Sequence, residues 1–216
     1  MSSLNLKYIA VEGPIGVGKT SLAERLADEF GSSLLLEQVD ENPFLERFYQ
    51  NPREAALSTQ LHFLLHRTKQ LQEFKQADIF SPVRVADFLI EKDRLFAQVT
   101  LNSSEYELYE QIYSHLTIDA PTPDLVVYLQ APIEVLLQRI RKRGRGYERL
   151  IESAYLEQLN EAYAKFFYDY GNAPCLIVNA SEIDFINNEK DYQQLLHEIL
   201  NMEAGKRYFN PLSFVS

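Results

Sequence analysis

Gly13-Pro14-Ile15-Gly16-Val17-Gly18-Lys19-Thr20 follows an apolar run, Tyr8-Ile9-Ala10-Val11, and leads straight into Ser21-Leu22-Ala23-Glu24-Arg25-Leu26-Ala27. The succession is strand, glycine-rich turn, helix, and it satisfies G-x-x-x-x-G-K-[ST], the P-loop pattern, at every fixed position. Glycines let the backbone wrap a phosphate with its N–H groups pointing inward. The helix behind the turn aims the positive end of its dipole at the same point. Gly13, Pro14, Ile15, Gly16, Val17 and Gly18 are thus candidate phosphate-binding positions. Lys19 would reach the β- and γ-phosphates of a nucleoside triphosphate, and Thr20 would hold Mg²⁺. The alternative is a tight turn with no ligand, and the strand–turn–helix context argues against it.

The chain has 216 residues, which suits one α/β domain, and at 46% hydrophobic it has enough apolar side chain for a core. Its 21 basic and 31 acidic residues give a net charge of −10. That balance argues against a nucleic-acid binder or a protein of anionic membrane surfaces, and it requires any phosphate site to be a local basic cluster. No apolar run approaches membrane-spanning length and no leader pattern precedes Tyr8, so the expected location is the cytoplasm. Cys175, the only cysteine, lies in the apolar run Cys175-Leu176-Ile177-Val178 and reads as a buried structural thiol.

Five strands are expected: Tyr8 to Glu12, Ser33 to Glu37, Val83 to Asp87, Leu125 to Leu129 and Pro174 to Asn179. They are nearly continuous in apolarity and alternate with helical patterns, which points to a parallel sheet with helices on both faces. The second and third end on carboxylates, Glu37 and Asp87. Ligands of such sheets bind outside the carboxyl ends of the strands, which places both acids near the P-loop. Asp87 is there a candidate for Mg²⁺, directly or through water. A long helix is expected from about Arg53 to Phe74, with Leu57, Leu61, Leu64, Leu65 and Leu71 as its core stripe. Gln60, Phe63 and Arg67 share a neighbouring face. They could hydrogen-bond and stack a planar heterocycle, or sit on a solvated face with Phe63 in the core. Another helix is expected from about Ser104 to Leu116, capped by Ser103 or Ser104.

Arg139 to Arg149 reads R-I-R-K-R-G-R-G-Y-E-R and holds six of the 21 basic residues. Arg139 and Arg143 face the same way on a helix, and Gly144 and Gly146 loosen the chain beyond them. An arginine-rich hinge beside a P-loop suits a lid over a transferring phosphoryl group. Residues 205–216 read as a short aromatic tail, outside a domain of residues 1–204.

The ordered set of motifs resembles the deoxynucleoside kinase family, in particular its bacterial deoxyadenosine kinase-like members. It comprises G-P-I-G-V-G-K-T, Glu37, N-P-F-L-E-R-F-Y from Asn42, Gln60 with Arg67, V-A-D-F from Val85, R-I-R-K-R-G-R-G-Y-E from Arg139, and I-D-F from Ile183. The resemblance implies a P-loop NTPase three-layer fold with a five-stranded parallel sheet, a homodimer, and ATP and Mg²⁺ as donor and metal. It implies transfer of the γ-phosphoryl group to the 5′-hydroxyl of a deoxynucleoside, deoxyadenosine or another purine. By the same resemblance Glu37 is the general base, with Lys19, Arg139 and Arg143 as its catalytic companions. Gln60 and Arg67 meet the base, and Asp93 is a base-reading acid. Tyr49 and Glu148 hold the sugar 3′-hydroxyl. Arg139, Arg143 and Arg145 meet the donor phosphates, and Asp184 and Phe185 pack on the donor adenine.

The chain departs from the family at Asp87-Phe88, where many members have an acid followed by an arginine that braces the catalytic acid. Lys92, four residues beyond Phe88, is expected to substitute. The rival activities are a thymidylate kinase-like nucleoside monophosphate kinase and a non-catalytic nucleotide sensor.

Overall fold

The computed structural model describes residues 6–76 and 83–211. Its centre is a parallel sheet of six strands in the order β2-β3-β1-β4-β5-β6. The strands are β1 (Tyr8–Glu12), β2 (Leu34–Leu35), β3 (Arg84–Ala86), β4 (Leu125–Gln130), β5 (Cys175–Asn179) and β6 (Lys206–Phe209). The expected five are present, and the sixth comes from the segment that reads as a tail. Cys175 pairs with Lys206 and Val178 with Phe209, so β6 extends the sheet beyond β5. Its residues, Lys-Arg-Tyr-Phe, are polar and then aromatic rather than continuously apolar, as an edge position allows, and this hides it from a search for buried strands.

Eight α-helices are described: α1 (Lys19–Phe30), α2 (Leu45–Gln50), α3 (Pro52–Gln76), α4 (Lys92–Thr100), α5 (Ser103–Leu116), α6 (Ile133–Arg143), α7 (Ser153–Asp169) and α8 (Glu189–Leu200). Alternation along β1 sends Ile9 and Val11 to one face, into a core with Leu22 and Leu26 of α1, Leu136 of α6 and Leu195 of α8. Tyr8 and Ala10 point the other way, onto Leu95 of α4 and Leu159, Tyr163 and Phe167 of α7. Every residue of β1 is consequently buried, which explains its unbroken apolar run up to Glu12.

Two local expectations are corrected. The cap of α5 is Asn102 rather than a serine, in a full capping box with Glu105. Leu65 does not belong to the core stripe of α3, because it is 55% exposed. The inner face of that helix is instead shared by Leu64 and Leu71 with polar Gln60 and Arg67, all buried. A helix that lines a cleft need not keep its buried stripe apolar.

Candidate active site

The P-loop leaves β1 at Gly13 and enters α1 at Lys19. Gly13 and Gly16 have φ of 152° and 84°, a region L side chains rarely adopt. Space forbids a side chain too: a Cβ on Gly13 would lie 2.5 Å from the Leu129 carbonyl oxygen, and one on Gly16 2.7 Å from Ile140. The loop is thus pressed between the end of β4 and α6. Lys19 Nζ donates to the carbonyls of Gly13 (2.7 Å) and Pro14 (3.3 Å), which holds its ammonium over the loop. Burial, and then the like charge of Lys92, bring this ammonium down to about 8, against the pull of Glu12, Glu37 and Asp87.

Three carboxylates gather at the carboxyl ends of the first three strands. Glu12 ends β1, Glu37 lies two residues past β2, and Asp87 follows β3 directly. Asp87 Oδ2 accepts from the Thr20 hydroxyl at 2.6 Å, and Oδ1 accepts from the Glu37 backbone N–H at 2.7 Å. Thr20 and Asp87 thus stand together at the start of α1. Mg²⁺ commonly takes one or two protein oxygens and fills its other positions with phosphate and water, and this pair fits that demand. No group of three His, Cys, Asp or Glu side chains among the described residues is arranged to hold a metal unaided. The pair therefore suits an ion that arrives with the donor phosphates.

Glu37 is gripped by two cations. Arg67 donates to its Oε1, and Lys92 Nζ donates to its Oε2 at 2.7 Å. Burial pushes the Glu37 carboxyl up, but Arg67, Lys92 and Lys19 outweigh burial and hold it well below the usual carboxylate range. Lys92 is itself buried, and it stands where the sequence departs from the acid–arginine pattern. Phe88 packs instead into the core of α3 and α5.

The cleft beside these groups is lined by Gln60, Phe63 and Arg67 from α3, so the polar face of that helix turns inward. Arg67 lies over the Phe63 ring, 4.8 Å from its centroid, and pairs through its other arm with Asp93. Asp93 is buried behind the arginine and is absent from the cleft lining. It orients Arg67 and does not itself face the acceptor space.

The arginine-rich segment closes the other side. α6 ends at Arg143, and Gly146–Leu150 forms a 3-10 turn. Arg143 donates to both oxygens of Glu148, at 3.0 and 2.5 Å. Arg145 pairs with Asp40 at 3.3 Å, and the Tyr147 hydroxyl donates to the same carboxylate at 2.6 Å. The rings of Tyr49 and Tyr147 are parallel, at 4° and 6.1 Å between centroids. Tyr49, Arg143, Arg145 and Glu148 all line the cleft.

Besides Asp93, three expected site residues are placed elsewhere. Arg139 donates to the carbonyls of Val17 (2.9 Å) and Ala180 (2.8 Å), so it braces the P-loop from behind and does not line the cleft. Phe185 is buried in the core under α1, and a Cβ on Gly18 would lie 3.2 Å from its ring. It supports the loop from beneath and offers no free face to an adenine. Asp184 accepts from the backbone N–H groups of Ile186 (3.3 Å) and Asn187 (3.0 Å) and caps its own turn. Two functional candidates were not legible beforehand, Glu12 and Tyr147. Glu12 closes an apolar strand, and only its complete burial marks it out.

The sequence model of the deoxynucleoside kinase family matches residues 9–203. This chain belongs to the deoxynucleoside kinase family. It is 40% identical over 196 residues to the deoxyguanosine kinase of Bacillus subtilis, covering 87% of this chain and 93% of that one. It is 29% identical over 208 residues to the deoxyadenosine kinase of Lactobacillus acidophilus, covering 90% and 95%. Among solved structures, deoxyadenosine kinase from M. mycoides with bound dATP superposes with a TM-score of 0.76 at 27% identity, covering 89% of this chain and 98% of that one. This deoxynucleoside kinase is accordingly an ATP-dependent phosphotransferase acting on a deoxynucleoside. Among its described residues no helix is long and apolar enough to cross a membrane.

Proposed function

We propose that this deoxynucleoside kinase phosphorylates a purine deoxynucleoside, with Mg²⁺ held by Thr20 and Asp87 and with Glu37 at the 5′-hydroxyl. The observation that carries the reading is the Glu37 carboxylate, fixed between Arg67 and Lys92 at the mouth of the P-loop. From there it can orient an acceptor hydroxyl in line with a γ-phosphoryl group held by Lys19. Arg143 and Arg145 stand across the cleft to neutralise the transferring charge. At the back of the cleft the Gln60 amide both donates and accepts, so it can meet the edge of a purine or of a pyrimidine. The purine preference rests on the relatives, named for deoxyguanosine and deoxyadenosine. By the resemblance, the enzyme works in the cytoplasm as a homodimer.

The test is a panel of the four deoxynucleosides and thymidine monophosphate with ATP and Mg²⁺, run on the native enzyme and on Glu37→Gln. The expected result is a kcat/KM for deoxyguanosine or deoxyadenosine more than about tenfold above the pyrimidines, each good base contact contributing ~1–3 kcal/mol. Glu37→Gln should bind nucleoside and lose about 10²–10⁴-fold in kcat. A pyrimidine or a monophosphate as preferred acceptor overturns the assignment, and near-native turnover by the variant removes Glu37 from its role.

A further inference from the structure

Glu12 has no part in phosphoryl transfer as derived so far, yet its side chain is completely buried. A carboxylate in that position is tolerated only when its oxygens are matched by donors and its charge by a cation. Four parts of the chain supply them. Oε1 accepts from the Gly13 N–H at 2.8 Å and from the Tyr163 hydroxyl at 3.0 Å. Oε2 accepts from the Leu89 N–H at 2.8 Å and lies 3.9 Å from Lys92 Nζ. Gly13 is the first residue of the P-loop. Leu89 stands two residues past Asp87, in the turn that carries the metal-side acid. Lys92 is the cation on Glu37. One carboxylate therefore touches the donor loop, the Asp87 turn and the partner of the catalytic acid, and Tyr163 ties it to α7 beneath.

We propose that Glu12 is a positioning residue for phosphoryl transfer. Its charge holds Lys92 in place against Glu37, and its two backbone bonds set the first P-loop residue against the Asp87 turn. Lys92 Nζ is shared by two anions, 2.7 Å from Glu37 and 3.9 Å from Glu12. With Glu37 alone, its ammonium would have a single anion to fix it, and Glu37 would lose a stationary partner. A purely structural anchor has a different signature: it would change the melting temperature and leave kcat alone. The assignment rests on Glu37 acting at the acceptor hydroxyl, so the test must separate the two ideas.

The experiment is a double-mutant cycle of Glu12→Gln and Lys92→Met, read as kcat and acceptor KM, with thermal melting of each variant. A misplaced catalytic group costs on the order of 10²-fold, so each single variant is expected to lose about ten- to a hundredfold in kcat. Acceptor KM should change by less than about threefold, because the loss falls on the transition state. The double variant should be no more than about threefold worse than Lys92→Met, since residues acting through one contact are not additive. Tyr163→Phe removes only the neutral hydrogen bond and should keep kcat within about threefold of native, less than the cost of a charged partner. Losses that multiply in the double variant overturn the proposal, as does Glu12→Gln with native kcat and a lowered melting temperature. If Glu12→Gln does not fold, Glu12→Asp takes its place in the cycle with the same two outcomes. Failure of the Glu37 assignment looks different: Glu37→Gln then turns over normally, whatever the cycle shows.

Discussion

Lys19 shows how much of the donor site resides in one titratable group. Its ammonium is brought down to about 8 by burial and by Lys92. A triphosphate binds the charged form. Below about 8 the charge is already present, and above it binding must take up a proton. Affinity for ATP should consequently weaken as pH rises, by up to about tenfold per unit above pH 8. Calorimetric titration from pH 7 to 9.5, in two buffers of different ionisation enthalpy, should show uptake approaching one proton at the alkaline end. A pH-independent affinity over that range would mean that Lys19 stays charged throughout it or is not the group contacting the phosphates. Some residues of the candidate site are readable in the sequence alone. Glu37 and Asp87 announce themselves by ending apolar strands, and Lys92 by its spacing from Phe88. Glu12 does the same at the end of β1 but passes for the boundary of a strand, because three of its four partners come from distant segments. Arg139 shares a helix face with Arg143, and periodicity alone sees no difference between them. The carbonyls of Val17 and Ala180 divide them, one behind the loop and the other beside the cleft.

At the scale of elements, the segment after α6 is fastened to the turn after β2. Asp40 receives both Arg145 and Tyr147, while Tyr49 and Tyr147 lie parallel beside them. The Asp40 side chain is 65% exposed and that of Arg145 35%, so the ion pair is worth no more than about 1 kcal/mol. That is enough to bias the position of this segment and too little to lock it. Asp40→Asn keeps an acceptor for the Tyr147 hydroxyl and loses the charge. Acceptor KM should rise about two- to fivefold with the melting temperature unchanged, consistent with a contact of this size. Steady-state kinetics at low salt would decide it, and an unchanged KM would show that the contact does not govern closure. The element boundaries themselves were largely legible, since glycines stop α1 and α6 in the left-handed conformation. The inward polar face of α3 was not, because spacing cannot say which side of a helix meets a cleft.

For the whole molecule, β6 matters most. It carries no site residue, yet its parallel pairing with β5 closes that side of the sheet, and Cys175 donates its backbone N–H to the Gly205 carbonyl at 2.9 Å. Burial pushes the Cys175 thiol up to about 12 and leaves it inert. Ending the chain after Ala204 would expose the edge of β5. The melting temperature should drop by roughly 3–10 °C, corresponding to ~1–3 kcal/mol in a chain of this size. Cys175 should then react measurably faster with a thiol reagent under native conditions, while kcat stays near native because no residue of β5 or β6 lines the cleft. Unchanged thiol reactivity would show that the strand contributes no protection.

The grip of Arg67 and Lys92 on Glu37 has one more consequence. An acid held so far below its ordinary range is a poor proton thief. It cannot deprotonate a sugar hydroxyl in advance, and it is no better at turning a stray water into hydroxide. If Glu37 stands at the acceptor hydroxyl, it can only catch a proton that the forming P–O bond has already made acidic. An enzyme holding ATP without nucleoside should then hydrolyse it slowly, because the same two cations that aim the carboxylate leave no primed nucleophile beside the γ-phosphate.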